Sequence, residues 1–284
     1  MTTDPSPLRG STPASSPASD VYVLSFPKCG RTWLRVLMAK AISLHWGLPM
    51  ELCRDLRLEE FSAVDPRIPT ITFWHDDRVG WRTPAQLSTD KEPYRGSRVV
   101  FLTRDLRDTT VSYYFQRSLR PDNPYAGPLG EFIGEAEGSL RTCVEFWNIW
   151  QARQDVPRAF LLTSYERLAS DTAGELGRIM DFCGLPDVGP RALAEAVAFA
   201  SFPSMRAMEL SDAFDSERLR PGKPGEPESF KTRRGIIGGF RDYLTRSQTD
   251  GIDELIRTAL VPEWHALAFA ADGLHGEPPG AAQS

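Results

Sequence analysis

The loop Ser25-Phe26-Pro27-Lys28-Cys29-Gly30-Arg31-Thr32-Trp33 holds a lysine and a glycine two residues apart, between an apolar run and a helical pattern. Loop amides can point at an anion, the N-terminus of a following helix favours negative charge, and a lysine adds a full cation. The chemistry this spacing suits is the cradling of a phosphate. Three other groups have side chains fit for chemistry. Arg104 and Ser112 lie eight residues apart after an apolar run; a guanidinium fork and a hydroxyl can hold a second phosphate, or Arg104 can simply pair with Asp108 across a helix start. Arg233 and Arg234 precede Gly235, which makes either a tight cationic turn or a solvated basic loop. His75 follows an apolar run and is of the residue type that moves protons near neutrality.

The elements that must position these residues follow from periodicity. Val21–Leu24 is short, β-branched and aromatic and reads as a buried strand. Leu34, Leu37, Met38, Ala41 and Ile42 fall at helical spacing, so a helix is expected from about Thr32. Ile71–Trp74, Arg98–Thr103 and Ala159–Thr163 do not alternate polar with apolar, as expected of parallel strands covered on both faces. Helical patterns run over Thr109–Leu119, Leu140–Arg153 and Thr172–Cys183, with Gly184 and Pro186 closing the last. Strands alternating with helices predict an α/β fold, a single domain with a central parallel sheet flanked by helices. His75 would then stand at a strand's carboxyl end, where open α/β sheets do their chemistry. His45 falls late in the first helix, His265 in a late helical pattern and His275 near the C-terminus.

Composition bounds the rest. The net charge of −5 gives no general attraction to nucleic acid or an anionic membrane, so cations must be concentrated locally if the ligand is polyanionic. Cys29, Cys53, Cys143 and Cys183 lack metal-ligand spacing and suit a reducing cytoplasm. No apolar run approaches a membrane span, and the Ser-, Pro- and Ala-rich start lacks a signal-peptide core. Residues 1–19 are expected to form a disordered tail, 20–270 the folded domain and 271–284 a flexible tail. The Pro- and Gly-rich stretch Ser211–Lys231 is a lid or disorder.

The loop departs from G-x-x-x-x-G-K-[ST], because Lys28 precedes Gly30, which argues against an ordinary kinase or ATPase. It resembles instead the donor loop of the sulfotransferase family, roughly Tyr-Pro-Lys-Ser-Gly-Thr-Thr-Trp. Pro27, Lys28, Gly30, Thr32 and Trp33 match; Cys29 stands for serine and Arg31 for threonine. The family's Arg-Asn-Pro-x-Asp-x-x-x-Ser-Tyr-Tyr is matched at Arg104, Asp108, Ser112, Tyr113 and Tyr114. Its Arg-Lys-Gly-x-x-Gly-x-Trp is matched at Arg233, Arg234, Gly235 and Gly238, with Phe240 at the aromatic position. The aromatic that the family carries just before those arginines aligns with Lys231, leaving Phe230 as a doubtful substitute. Tyr165 and Glu166 resemble its Tyr-Glu-Asp segment, and Phe202 and Met205 its Thr-Ser-Phe-x-x-Met segment, with Ala200 where threonine is usual.

The resemblance implies a P-loop-like site for 3′-phosphoadenosine 5′-phosphosulfate, with adenosine 3′,5′-bisphosphate as product. Lys28, Cys29, Gly30, Arg31, Thr32 and Trp33 would form the donor loop. Arg104, Ser112, Arg233, Arg234 and Gly235 would take the 3′-phosphate, and Trp33, Tyr165, Phe202 and Met205 the adenine. Transfer of a sulfuryl group to a hydroxyl or amine then needs positioning, a cation at the departing phosphate, which Lys28 supplies, and a base. No metal is expected. The family's histidine position makes His75 the expected base, although His75-Asp76-Asp77 replaces its usual His-Leu-Pro, so that Asp76 or Asp77 could assist or replace the imidazole. Trp74, Trp81, Tyr94 and Tyr125 point to an aromatic or apolar small-molecule acceptor. The family's dimer-forming segment is poorly reproduced around 245–250, so the oligomeric state stays open. Cys29 at a helix N-terminus is either a redox-sensitive thiol or a small residue replacing serine. Two other functional classes stand beside the enzyme: a non-catalytic module binding adenosine 3′,5′-bisphosphate, and a nucleotide-dependent kinase on the same scaffold. Having both Lys28 and His75 favours the sulfotransferase, since a pure binder needs no proton acceptor.

Overall fold

Four parallel strands form the centre of the molecule, in the order β2-β1-β3-β4: β1 (Val21–Leu24), β2 (Ile71–Trp74), β3 (Arg98–Thr103) and β4 (Ala159–Ser164). The computed structural model describes residues 19–49, 51–54, 56–120, 125–214, 216, 219–220, 223 and 225–273. Val21 stands opposite Ile71 on one side and Arg98 on the other, and the pairing of β3 with β4 runs from Arg98–Ala159 to Thr103–Ser164. β1 is buried along its whole length, which is why its sequence shows no alternation.

Helices cover both faces: α1 (Arg31–Trp46), α2 (Leu106–Leu119), α3 (Leu140–Gln151), α4 (Tyr165–Ser170), α5 (Thr172–Phe182), α6 (Pro190–Phe199), α7 (Phe202–Leu210) and α8 (Arg246–Ala259). α1 packs on α6. Trp147 and Trp150 of α3 are fully buried; Trp150 stacks on Phe160 at 6.0 Å between ring centroids, and Trp147 meets Trp264 edge-on at 5.9 Å. Such aromatic pairs contribute about 0.5–1.5 kcal/mol each beyond area burial, and they fix the helix that backs β3 and β4.

Two boundaries differ from the sequence expectation. α2 begins three residues earlier than its apolar pattern, because the Asp105 carboxylate accepts from the Arg107 and Asp108 amides and caps the helix. The domain also extends beyond 20–270. Ser19 is buried and hydrogen-bonded to Thr72 at 2.6 Å, Ala271 is fully buried with its amide on Asp105 at 3.0 Å, and Asp272 pairs with Arg107 at 2.8 Å. Residues 1–18 and 274–284 of the expected tails, and His275, lie outside the described residues. The 245–250 segment opens α8 with a Thr245–Gln248 capping box. No helix among the described residues is long and apolar enough to cross a membrane.

Candidate functional site

From β1 the chain adds β2 on one side and then returns to add β3 on the other, so the order reverses at the carboxyl end of β1. Ligand crevices of open α/β sheets lie at such a point. Here the loop after β1, His75 after β2, Arg104 after β3 and Tyr165 after β4 line one cavity of about 320 Å³. Seven cations line it, Lys28, Arg31, Arg35, Arg104, Lys231, Arg233 and Arg234, and no Asp or Glu among the described residues does. In a chain of net charge −5 that is the local concentration of positive charge a polyanion requires.

The donor loop is shaped by two left-handed residues, Lys28 at φ 74° and Gly30 at φ 90°. Gly30 has a further reason to be glycine: a Cβ there would stand 2.6 Å from the Tyr165 ring. The Leu34 amide is the first to donate along α1, to the Gly30 carbonyl at 3.1 Å. The amides of Gly30, Thr32 and Trp33 therefore precede the helical ladder, at the positive end of the helix dipole. Burial, with Lys231, Arg120, Arg233 and Arg104 nearby, pushes the Lys28 amine well below the ordinary lysine range. An anion between them relieves that repulsion.

Arg104 lines the cavity and also reaches Asp108. Its Nη2 lies 3.6 Å from Asp108 and donates to the Ile236 carbonyl at 3.4 Å, and its Nη1 donates to the Lys28 carbonyl at 3.2 Å. It thereby ties the donor loop to the loop 231–239. Ser112 lines the same cavity. Arg233 contacts Glu228 at 2.7 Å and the Tyr243 hydroxyl at 2.9 Å, and Arg234 pairs with Asp242 at 2.7 Å, so this is a built turn and not a solvated loop. Among the described residues, buried Arg104 Nε and Arg233 Nε have no hydrogen-bond partner, so each can still donate to a further acceptor.

At the far side Trp33 donates its indole N–H to the Ala200 carbonyl at 2.9 Å and lies 5.6 Å from the Tyr165 ring. With Phe202 and Met205 these rings contribute to the apolar part of the lining. The Tyr165 hydroxyl donates to the Gly235 carbonyl at 3.3 Å, and the Arg104 guanidinium lies 4.5 Å over its ring.

His75 Nδ1 lies 2.9 Å from the Ser25 carbonyl. A carbonyl only accepts, so Nδ1 carries the proton and Nε2 the free lone pair. Burial, and then Arg31, Lys231 and Arg35, hold the imidazole well below 6.5 despite that hydrogen bond. The neighbouring carboxylates do not share its position. Asp76 accepts from Lys91 at 2.7 Å, Tyr94 at 2.7 Å and Trp150 at 2.9 Å, and Asp77 accepts from the Ser88 amide at 2.7 Å; neither lines the cavity.

Other expectations are corrected. Cys29 is the one donor-loop position between 28 and 33 whose residue does not line the cavity; its thiol is buried, and burial pushes it up to about 12, the reverse of a reactive cysteine. Trp74, Trp81, Tyr94 and Tyr125 all lie outside the lining. Phe230 is also outside it, buried with the Arg206 guanidinium 3.4 Å from its ring centroid, while Lys231 faces in.

Comparison with known proteins assigns the fold and family. The family model described as "Sulfotransferase domain" matches residues 84–265. The chain belongs to the sulfotransferase family. The flavonol 3-sulfotransferase of Flaveria bidentis is 24% identical over 84% of this chain and 80% of its own length. Sulfotransferase 2B1 of Mus musculus is 25% identical over 84% and 70%. Among solved structures, mouse sulfotransferase SULT7A1 complexed with PAP superposes with a TM-score of 0.60 at 17% identity, covering 87% of each chain. Retinol dehydratase in complex with retinol and PAP gives 0.62 at 18% identity, covering 86% and 81%. Lys28 and His75 precede the matched segment of this sulfotransferase; Arg104, Ser112, Tyr165 and 233–235 fall inside it.

Sequence reasoning missed what holds the lid of this sulfotransferase in place. Asp108 accepts from the Gly238 amide at 2.8 Å and the Phe240 amide at 2.9 Å. Fully buried Glu209 accepts from the Lys231 amide at 2.6 Å, the Thr232 amide at 2.9 Å and the Thr232 hydroxyl. Asp108 lay inside a recognised motif; Glu209, near the end of α7, gave no local signal.

Proposed function

We propose that this sulfotransferase moves a sulfuryl group from 3′-phosphoadenosine 5′-phosphosulfate to a hydroxyl or amine of a small-molecule acceptor, with His75 as general base. The observation that carries the reading is the cavity itself: seven cations and, among the described residues, no carboxylate around an imidazole whose Nδ1 is held by the Ser25 carbonyl so that Nε2 carries the lone pair. Lys28 and the leading amides of α1 would hold the 5′ end, and Arg104, Ser112, Arg233, Arg234 and Gly235 the 3′-phosphate. Trp33, Tyr165, Phe202 and Met205 would bracket the adenine. When bound, the donor supplies the sulfuryl group and a bisphosphate leaving group.

The chain's own residues supply the remainder. A neutral His75 accepts the acceptor's proton at Nε2, and the Ser25 carbonyl stabilises the imidazolium through Nδ1–H. Lys28 places its charge where negative charge gathers as the phosphate departs. The relatives' substrates, a flavonol in one name and retinol in another structure's title, support an acceptor of small-molecule size.

Two measurements test the reading. Calorimetry on the full chain is expected to show adenosine 3′,5′-bisphosphate binding at least about tenfold more tightly than AMP, since one charge-assisted phosphate contact separates them by about 1.4 kcal/mol or more. Equal affinity for the two would remove the 3′-phosphate site. His75→Ala is expected to lower turnover of labelled donor by about 10²–10⁴-fold, the range for a lost general base, with bisphosphate binding retained. Unchanged turnover would move the base elsewhere.

A further inference from the structure

Behind His75, away from the cavity, the chain is tied down by the residue that follows it. Asp76 is only 6% exposed, and its carboxylate meets three donors from later in the chain. Oδ2 accepts from Lys91 Nζ at 2.7 Å and from Trp150 Nε1 of α3 at 2.9 Å, and Oδ1 accepts from the Tyr94 hydroxyl at 2.7 Å. All three donors are themselves buried, and the Tyr94 ring packs edge-on against Trp150 at 5.2 Å and Tyr22 of β1 at 5.0 Å. An ionised carboxylate only accepts, so it satisfies three donors at once; a carboxamide of the same shape must turn an N–H toward one of them. The resemblance expects leucine at this position, so the anchor is this chain's own.

A buried ion pair gives up hydration on both sides, and the backbone beyond it shows what this one holds. Asp77 and Arg78 are both left-handed, at φ 56° and 53°. Such residues are strained unless they are glycine, and they persist where the surroundings over-determine them, often beside a functional site. Here the Arg78 amide donates to the His75 carbonyl at 2.8 Å, the Asp77 carboxylate accepts from the Ser88 amide at 2.7 Å, and Lys91 also donates to the Ser88 carbonyl at 2.8 Å. The chain thus turns sharply at His75 and is clamped behind it through Asp76, while Ser25 holds the ring in front. We propose that Asp76 is a positioning residue for sulfuryl transfer: its anchor on Lys91, Tyr94 and Trp150 fixes the His75 backbone so that Nδ1 stays on the Ser25 carbonyl and Nε2 is presented to the cavity. Asp76 does not line the cavity and acts only through its neighbour. This rests on the reading of His75 as the base.

The test is histidine-selective nitrogen NMR on the full chain; with four histidines, the spectrum of His75→Ala assigns the His75 signals. Wild type is expected to show one tautomer at His75, protonated at Nδ1 and titrating below 6.5. Asp76→Asn should mix the two tautomers and move the titration up toward 6.5, as the released ring gains water, while calorimetry shows adenosine 3′,5′-bisphosphate binding close to wild type. Turnover of labelled donor with 2-naphthol as acceptor should fall about 10–10²-fold in kcat with the donor KM unchanged, since a displacement of about 1 Å at a reacting group can cost that much. An unchanged His75 tautomer or an unchanged kcat in folded Asp76→Asn overturns the proposal. If that variant does not fold, Tyr94→Phe, which removes one donor and no charge, must move the His75 titration in the same direction; a wild-type titration there overturns the proposal. Wild-type turnover in His75→Ala overturns the base reading instead, whatever the spectra show, and the catalytic use of this anchor falls with it.

Discussion

The donor loop and the lid grip one cavity by opposite means. Residues 28–33 are held locally: two left-handed residues and the first turn of α1 aim backbone amides inward, and Gly30 lets the Tyr165 ring close over them. Residues 231–239 contain no regular element apart from the short turn that begins at Gly239. Their shape is imposed by two remote buried carboxylates, Glu209 at one end and Asp108 at the other. Arg104 joins the two through the Lys28 and Ile236 carbonyls. A rigid anion cradle and an externally pinned flap can thus be perturbed one at a time.

The largest expected effect lies on the rigid side. Lys28→Met should lower sulfuryl transfer by about 10²–10³-fold, the range for a lost charge-stabilising group, and weaken both AMP and adenosine 3′,5′-bisphosphate, because both present a 5′-phosphate. The same change should stabilise the unliganded protein by about 0.5–2 kcal/mol, as relieving a strained functional site does. The sign follows from the lowered amine: the fold favours the neutral form, so a charged Lys28 costs stability at neutral pH. Thermal unfolding and calorimetry on one sample read both. A melting temperature that drops would contradict the crowding of cations.

The flap should respond selectively. Glu209→Gln leaves two amides and a hydroxyl facing a group that is half donor, and is expected to cost about 2–4 kcal/mol of stability. On the proposed reading, in which only the 3′-phosphate meets the flap, its affinity for adenosine 3′,5′-bisphosphate should fall about tenfold while that for AMP changes little. Asp108→Asn should act the same way and more weakly. Equal loss for both nucleotides would dissolve the distinction between cradle and flap.

This contrast also explains what the sequence disclosed. All four strands were legible as short apolar runs. Burial on both faces explains this for β1 and β3, although four of the six residues of the edge strand β4 are only half-buried. The cradle was legible because Pro27, Lys28, Gly30 and Trp33 sit together in the chain. His75 was reachable through its position at the end of Ile71–Trp74. The supports were not. Glu209 lies 22 residues before Lys231 in the chain and looks like any helix-surface glutamate, yet it is fully buried. Asp76 looked like a rival base beside His75, and only packing turned its carboxylate to Lys91, Tyr94 and Trp150. Trp74, Trp81, Tyr94 and Tyr125 stand outside the cavity for the same reason: ring type does not disclose where a side chain packs.

A smaller effect separates the two regions by pH. His75 belongs to the cradle side through Ser25, but it is held below 6.5 by burial first and then by Arg31, Lys231 and Arg35. The acid limb of kcat/KM is therefore expected below pH 6.5, and Arg31→Gln should move it upward. The native state takes up this proton less readily than the unfolded chain, so His75 also removes stability as pH falls below about 6.5, by about 1.4 kcal/mol for each pH unit between the two pKa values. A limb that stays fixed in Arg31→Gln would separate the arginine from the base.

The smallest expected effect is none. Cys29 sits inside the cradle sequence, yet its side chain is fully buried and its thiol is pushed up to about 12, chiefly by burial. The thiolate is the reactive form, and one so disfavoured is a poor target for oxidation. Wild type and Cys29→Ser should lose sulfuryl-transfer activity at the same rate in dilute peroxide, and their unfolding free energies should differ by less than about 1.5 kcal/mol. Peroxide sensitivity confined to the wild type would mean that the loop opens far enough to expose Cys29, and the cradle would no longer be the rigid partner of the pair.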